Sequence, residues 1–306
     1  MALDTAKANV ILRDFTAKFD NAVQAAKPFY PEVSTIIQSD GSDEKYGWIG
    51  NMPGMREWVG DRIFNELRSA SYVLENKHWE SSVSIKKTDL ADGRTLMYPP
   101  ILQELGSEAA YHPDELFFDA LSAGESTACF DGQYFFDTDH VWGDSGSQDN
   151  DLTGAAATST IPTAAELKAA FNSMREAMFN FKRDNGKFFH RPTVNGMGNL
   201  LLLIPTEYEA AAKEALVVQL GSSGGTNVVL ETPRILVSPH LTSAAKMYLF
   251  HTGSFMKPFV FQAREPLSRQ MKGLTDMETK DVKFMTEARY NIGYLAWWNA
   301  VLYTFT

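Results

Sequence analysis

The sequence predicts an α+β fold, because it contains clear patterns for both helices and strands. Apolar residues recur at spacings of three and four between Leu167 and Phe181, which is typical of the buried face of a helix. The run GNLLLLIP, residues 198–205, is typical of a strand that is buried on both faces. Residues 281–305 are strand-like throughout. The 306 residues, 44% of them hydrophobic, suffice for one large domain or two closely packed ones.

Composition and charge argue against several classes of protein. The formal net charge is −10, which argues against a dedicated nucleic-acid binder, since such proteins normally carry a basic face. The single cysteine, Cys129, has no partner for an internal disulfide, and its apolar surroundings predict a buried thiol. No apolar run reaches the ~18 residues of a membrane span, and residues 1–15 lack the pattern of a secretory signal. We therefore expect a protein of a cytosol-like compartment.

The N-terminal third predicts a helix and then an exposed hairpin. Residues 5–26 are helix-prone, and the prolines and polar residues that follow predict an extended connection up to about residue 40. Between residues 46 and 87, glycines interrupt any helix, and Trp79, Ser81, Val83 and Ile85 alternate as in a strand. An isolated hairpin is barely stable in water, so this one needs a surface to lie on.

Four helices are predicted in the middle of the chain, two of them from one interrupted stretch. Residues 96–124 predict a helix that breaks at Pro113 and starts again there, because proline favours a first helical position. Thr163 and Glu166 have the spacing of a capping box, and Gly186 is placed to end that helix. Thr206 and Glu209 predict a second capping box. Strand patterns then cover four stretches: 227–239, 246–251, 257–264 and 281–305.

The stretch YFFDTDHVWGDSGSQDND, residues 134–151, raises the question of a metal-dependent enzyme that uses Asp137, Asp139 and His140. A calcium-loop count from Asp137 places Val141 at a ligand position, so that template fails. A second histidine at the helical spacing of zinc proteases is absent from the sequence. We expect a loop whose acids cap turns and face water while Phe135 and Phe136 anchor it. We predict no catalytic, cofactor-binding or metal-binding residue.

Several aromatic, arginine and glycine residues are better explained by contact between subunits than by the fold of a single chain. Aromatic and arginine side chains are enriched in stable interfaces. The predicted hairpin has too little chain around it to bury its own aromatic side chains. The alternative is that the hairpin packs on its own core. The glycine-rich GSSGGTN, residues 221–227, lacks the lysine of a phosphate loop and predicts a flexible tip. The predicted subunit-contact residues are Trp48, Met55, Arg56, Trp58, Arg62, Trp79, Gly224 and Gly225.

Six stretches resemble the Mu-like major head subunit family, the capsid proteins of Mu-type phages and prophages. The resemblance runs from about Tyr46 to the C-terminus, with Val141 where the family commonly has proline and a less acidic start to KTDLADGR. The stretches are YGWIGNMPGMREWVGDR, YVLENKHWESSVSIKKTDL, HPDELFFDALSAG, CFDGQYFFDTDH, PFVFQAR and VKFMTEARYNIGYLAWWNAV.

The resemblance implies the tailed-phage major capsid fold known from phage Hong Kong 97. On this chain it implies an N-terminal arm at 1–45 and an extended loop, the E-loop, at 46–82. A peripheral domain with a long spine helix would comprise 83–150 and 251–306, and an axial domain 151–250. The family offers no catalytic residues and no cofactor to carry over.

The function implied by the resemblance is a major capsid protein that self-assembles into hexamers and pentamers of an icosahedral shell around double-stranded DNA. We expect further partners: a separate scaffold, because an arm of about 40 residues is short for a built-in one, a portal and decoration proteins. The expected location is the virion, with assembly in the bacterial cytoplasm and no membrane contact. The alternatives are the metal-dependent enzyme and a non-viral shell protein of the same fold.

Overall fold

The computed structural model describes residues 5–46, 72–158, 160–191, 196–218, 231–241, 243–272 and 281–306. Most of the predicted hairpin, 47–71, and the glycine-rich stretch within 219–230 lie outside these ranges. In the part of the chain that is described, no helix has the length and apolar character to cross a membrane.

Two sheets organise the molecule, and the predicted α+β class is confirmed. The first sheet has the order β1-β9-β10-β4, and the second has the order β5-β11-β8-β6-β7. A short pair, β2-β3, forms a separate ladder and contacts the first sheet through β3. The strands are β1 (Ser34–Gln38), β2 (Asp43–Lys45), β3 (Val73–Glu75), β4 (Lys77–Ile85), β5 (Asp151–Gly154), β6 (Leu200–Ile204), β7 (Arg234–Val237), β8 (Lys246–His251), β9 (Phe259–Lys272), β10 (Val282–Tyr294) and β11 (Ala300–Phe305).

The helices pack on the faces of these sheets. The long helix α4 contacts β10 and β4 of the first sheet, and α5 contacts β11 and β8 of the second. One large core of buried side chains joins the two sheets, and a smaller core lies under α1. The helices are α1 (Thr5–Ala25), α2 (Tyr30–Val33), α3 (Lys87–Ala91), α4 (Tyr98–Ser122), α5 (Ala164–Asn180) and α6 (Glu209–Leu216).

Helix α4 is continuous, so the predicted break at Pro113 is wrong. Pro113 lies inside the 25-residue helix and is buried. Proline removes one helical hydrogen bond, but burial of Phe117 and Leu121 in the next two turns holds the helix together. The next residue, Asp114, accepts hydrogen bonds from the backbone N–H groups of Phe29 and Tyr30 at 2.9 and 2.6 Å. Tertiary packing therefore overrides the local preference for a break.

Helix α5 has the predicted capping box, but it ends earlier than Gly186. The Thr163 hydroxyl accepts from the Glu166 N–H, and the Glu166 carboxylate accepts from the Thr163 N–H. The helix ends at Asn180 because Phe181 is extended and buries its ring beside Trp297. The second predicted capping box is also wrong. A 3₁₀ turn precedes α6, and the Thr206 hydroxyl donates to the Glu207 carboxylate instead.

One strand runs through a predicted domain boundary, and another pairs outside its predicted domain. Strand β4 runs through the expected boundary between residues 82 and 83, and all nine of its residues pair with β10. Strand β11 comes from the predicted peripheral segment 251–306, yet it lies between β5 and β8 of the second sheet. The fully buried strand predicted at 198–205 is confirmed as β6.

Helix α1 packs tightly against α4 at Gly106. An added Cβ at Gly106 would lie 2.6 Å from the carbonyl oxygen of Phe19 and 3.1 Å from the Cβ of Ala22. Phe15 and Phe19 are 1% and 2% exposed, so this close approach seals the smaller core. The helix predicted at the start of the chain is therefore part of the folded body.

We predict that Gly106→Ala destabilises the protein, although alanine favours helix over glycine by about 1 kcal/mol at exposed positions. Separating α1 from α4 should reduce the free energy of unfolding by about 1–3 kcal/mol, measured in guanidinium. Glu104→Ala on the exposed face of the same helix is the control and should change stability by less than about 0.5 kcal/mol. A more stable Gly106→Ala variant would contradict the prediction.

Candidate subunit-contact surfaces and a buried histidine cluster

A groove lies between helix α4 and strands β4 and β10. Its volume is about 210 Å³, and Trp79 and Leu105 contribute to its apolar lining. Four carboxylates also border it, two from the helix and two from the strands. An apolar groove with acidic borders suits a partner segment that carries apolar or aromatic side chains together with arginine. The carboxylates belong to Glu80, Glu108, Glu115 and Glu287.

Trp79, a predicted contact residue, is held at this groove by its own chain. Its indole N–H donates to the carbonyl oxygen of Tyr290 at 3.0 Å, and its ring packs 4.5 Å from that of His112. Burial lowers the pKa of His112 and raises that of Tyr290, so the tyrosine hydroxyl donates to Nδ1 of a neutral His112 at 2.8 Å. Trp79 therefore packs on its own core, with part of its ring left at the groove.

The other predicted contact residues lie outside the described residues, but the chain ends that flank them are well anchored. Strands β2 and β3 pair antiparallel, and the N–H of Tyr46 donates to the carbonyl of Tyr72 at 3.0 Å. Segment 47–71 therefore leaves and returns at one place. The residues in question are Trp48, Met55, Arg56, Trp58 and Arg62 in that segment, with Gly224 and Gly225 in 219–230.

Glu231, directly after the second of these segments, is tied to two other parts of the chain. Its carboxylate accepts from Arg175 Nε of α5 and from the backbone N–H of Met197, each at 3.0 Å. Arg175 and Met197 are themselves only partly exposed. This ion pair therefore fixes one end of the segment that contains Gly224 and Gly225.

The stretch 129–150 contains a buried network centred on His140. Nδ1 of His140 lies 2.7 Å from Asp131 Oδ2, and both side chains are 0% exposed. Nε2 lies 3.2 Å from Asn150 Oδ1, and the imidazole stacks on Trp297 at 4.0 Å. Asn150 in turn donates to the carbonyl oxygens of Phe135 and Ala300. The network joins this loop to the start of β11.

Hydrogen-bond directions fix where the protons lie. Asn150 Oδ1 also accepts from the Asp137 N–H at 2.9 Å, so it is an acceptor and His140 Nε2 donates to it. The Cys129 thiol donates to Asp131 Oδ1 at 2.9 Å. A further proton must lie between the Asp131 carboxylate and His140 Nδ1, because two lone pairs would otherwise face each other. The contact between Asp131 and His140 is therefore a buried hydrogen bond.

Cys129, Asp131 and His140 could in principle hold a metal ion, since their ligand atoms lie within 4.8 Å of one another. Two tetrahedral zinc ligands lie roughly 3.3–3.5 Å apart, given metal–ligand bonds of about 2.0–2.3 Å. The observed separations of 2.9 and 2.7 Å are those of hydrogen bonds instead. Burial also raises the pKa of the Cys129 thiol, which keeps it protonated. The geometry favours a hydrogen-bonded network.

The acids of the loop mainly cap turns, as predicted. The carboxylate of Asp137 accepts from the N–H groups of Tyr134 and Thr138, and Asp139 is exposed. Asp151 is an exception to the prediction that these acids face water. Burial, with Glu125 and Asp149 nearby, raises its pKa to about 6. Phe135 and Phe136 are buried and anchor the loop, as expected.

Sequence reasoning missed Asp131 and Asn150. They lie nine residues before and ten residues after His140, spacings that no local motif uses. The signal available was the combination of an acid, a histidine and an asparagine beside strongly apolar residues. That combination does not reveal which side chains point inward.

A second pair of histidines lies at the end of the second sheet. The rings of His190 and His251 are 5.2 Å apart and perpendicular. Burial lowers the pKa of His190 to about 4, with further lowering by His251 and Arg183 and a small opposite effect of its bond to the Trp298 carbonyl. Burial likewise lowers the pKa of His251. Both rings are therefore neutral at pH 7.

Comparison with known proteins gives consistent matches. The family described as "Mu-like prophage major head subunit gpT" matches residues 8–163, and the family described as "Phage capsid protein" matches residues 98–300. The major head subunit of the Mu-like prophage FluMu of Haemophilus influenzae is 43% identical over 129 residues, 42% of each chain. The major capsid protein of Escherichia phage Mu is 34% identical over 140 residues, 46% of each chain. The matches thus span less than half the length of these two relatives.

Solved structures share the fold. A chain in the procapsid of bacteriophage JBD30 has a TM-score of 0.58 and 24% identity, and the match covers 98% of this chain and 76% of that one. The fold predicted from the resemblance, that of tailed-phage capsid proteins, is therefore confirmed.

We predict that Asp131→Asn destabilises the protein strongly, because it leaves the buried His140 without its charged partner. Breaking a buried ion pair from one side typically costs about 3–5 kcal/mol. Asp139→Asn in the same loop is the matched control and should change the free energy of unfolding by less than about 0.5 kcal/mol. Equal losses in the two variants, measured by denaturant unfolding, would refute the special role of the pair.

We also predict that protonation of His190 destabilises the folded state below pH 6.5. Its folded pKa of about 4 lies below the ordinary value, so the unfolded chain binds more protons and stability is lost as pH falls from about 6.5 towards 4. The contribution reaches roughly 3 kcal/mol at pH 4. His190→Gln should flatten this part of the stability profile, whereas His78→Gln, at an exposed histidine, should leave it unchanged. Parallel profiles for all three proteins would contradict the prediction.

Proposed function

From the premise that the chain belongs to the Mu-like prophage major head subunit gpT family, we propose that it is the subunit of an icosahedral phage shell. The observation that carries this proposal is the agreement of two capsid families, together covering residues 8–300, with a capsid fold over nearly the whole chain. Copies of the chain form hexamers and pentamers, and these close around double-stranded DNA. The role is structural, because assembly depends on the shape and contact area of the subunit and not on a chemical reaction.

The groove beside α4 supports a specific mode of contact between copies. Residues 77–82 of the expected E-loop belong to β4, which forms a wall of the groove in its own copy. The remaining segment 47–71 of one copy would lie across the long helix of its neighbour, with apolar side chains in the groove. Its three arginines, at positions 56, 62 and 68, would meet the carboxylates that border the groove. Each contact buries apolar area worth roughly 25 cal/mol per Å². Many such contacts around a closed shell add up to a stable assembly although each is weak.

The negative charge of the chain fits a container for DNA. A net charge of −10 per copy repels the phosphate backbone, so the wall as a whole leaves packed DNA free to enter and leave. A separate scaffold, a portal and decoration proteins are the further partners that we propose. The shell would assemble in the bacterial cytoplasm and persist in the virion.

Electron microscopy of the purified protein tests the proposal directly. We expect capsomers or shells at high protein concentration. The double variant Glu108→Lys/Glu115→Lys reverses charge in the groove and should lower the fraction of protein in shells by at least about tenfold, while leaving the monomer folded. Glu104→Lys, on the same helix but outside the groove lining, is the matched control.

The two parts of the proposal fail in different ways. A protein that stays monomeric at high concentration under all salt conditions, with and without co-expressed phage assembly genes, would overturn the shell function. Normal shells from the groove variant would overturn only the contact between the E-loop and α4.

A further inference from the structure

A positively charged hairpin stands out on this acidic protein. Residues 182–191, KRDNGKFFHR, contain four Lys or Arg residues and one acid, a net charge of +3 on a chain of −10. Lys182 and Phe188 pair across the hairpin, and the N–H of Arg183 donates to the carbonyl of Lys187 at 2.7 Å. Gly186 has a φ of +72°, which the tight turn requires.

The hairpin is held rigidly by the rest of the fold. The Gln148 side chain brackets Lys182: its carbonyl accepts from the Lys182 N–H, and its amide donates to the Lys182 carbonyl at 3.0 Å. The ring of Phe189 stacks on Trp298 at 4.1 Å with an angle of 6°. The Arg183 guanidinium donates to the Phe189 carbonyl, so it serves the hairpin itself. These contacts therefore hold the backbone of the hairpin in place.

Three cations and one aromatic ring of the hairpin are exposed. Lys182, Lys187 and Arg191 are exposed, and none of them forms an ion pair with any residue in the described ranges. Phe188 is 53% exposed, with the Lys182 ammonium 5.9 Å from its ring centre. Lysine and arginine beside an exposed aromatic ring suit a polyanion with stacking bases.

Neighbouring acids do not cancel this charge. Asp184 is already counted in the net charge of +3, and its backbone carbonyl accepts from the N–H of Asp144. With Asp144 added, the hairpin and this neighbour still carry a net charge of +2. His190 is neutral because burial lowers its pKa to about 4. Residues 192–195, which follow the hairpin in the sequence, include no acidic residue.

We propose that the hairpin at residues 182–191 is a weak, sequence-independent contact for the phosphate backbone of nucleic acid. Lys182, Lys187 and Arg191 neutralise phosphates, and Phe188 stacks on an unpaired base where one is present. The inference takes from the proposed function only that DNA is the polyanion that this chain meets. A local concentration of cations on one small feature would give the wall a few DNA contacts, while the chain as a whole, with a net charge of −10, repels the phosphate backbone.

Binding of the full-length, unassembled protein to a random-sequence duplex and to a single strand of equal length tests the proposal. Three neutralised phosphates predict a slope of about −3 for log K against log salt on duplex. The triple variant Lys182→Gln/Lys187→Gln/Arg191→Gln should bring this slope close to zero and weaken binding at roughly 50 mM salt by about tenfold or more. Phe188→Ala should weaken single-strand binding more than duplex binding.

A charge-matched control separates the hairpin from the general loss of positive charge. Lys45→Gln/Lys86→Gln/Lys283→Gln removes three exposed lysines elsewhere that likewise form no ion pair with described residues. It should leave the salt slope near that of the parent. Equal slopes in the parent and the hairpin variant would overturn the proposal.

A contact between protein copies is the competing role for the hairpin. If the hairpin variant lost shell formation in the electron microscope while keeping the parent's DNA affinity, the partner would be another copy of the chain and the proposal would be wrong. Because the binding assay needs no shells, its outcome is independent of whether the proposed function holds.

Discussion

The position of the two sheets depends on the side-chain amide of Asn150. Its oxygen accepts from His140 and from the Asp137 backbone, and its nitrogen donates to carbonyl groups of Phe135 and of the turn between β10 and β11. That turn is where the chain passes from the first sheet to the second. A buried amide with every donor and acceptor used admits few alternative arrangements, because each broken bond would leave a buried polar group unpaired. Asn150 therefore joins the loop before β5 to the turn that connects the two sheets.

Local patterns in the sequence predicted the elements that rest on periodicity, and they failed where distant residues decide. The apolar spacing and capping box of α5 and the apolar run of β6 carry their own information, so both were predicted correctly. Pro113 misled because its local preference for a helix start is weaker than the packing of α4 on the sheet. The partners of His140 could not be found, because Asp131 and Asn150 meet it only after the loop has folded. The predicted contacts of segments 47–71 and 219–230 stay predictions.

Charged residues that form ion pairs within the folded body lie in different places from those that lack an ion-pair partner among the described residues. Most of the cations that take part in ion pairs join parts of the body that are distant in sequence: Arg269 meets Asp20 of α1, Lys246 meets Glu125, and Arg175 meets Glu231. The acids at the groove beside α4 and the cations of the 182–191 hairpin lack such partners among the described residues, apart from Glu287, which lies near His78. Unpaired charge of opposite sign therefore marks two separate surfaces of one molecule, and each suits a different kind of partner.

The paired strands β2 and β3 have a mechanical consequence. Tension carried by segment 47–71 arrives at Tyr46 and Tyr72, side by side, and would open the three residue pairs one after another like a zipper. Two tyrosine hydroxyls transfer part of this force to other strands. The Tyr46 hydroxyl donates to Gln262 on β9, and the Tyr72 hydroxyl accepts from the Tyr294 N–H on β10. These two long strands are hydrogen-bonded to each other along most of their length. A pull on the loop is therefore shared with the two long strands β9 and β10 and is not carried by the short pair alone.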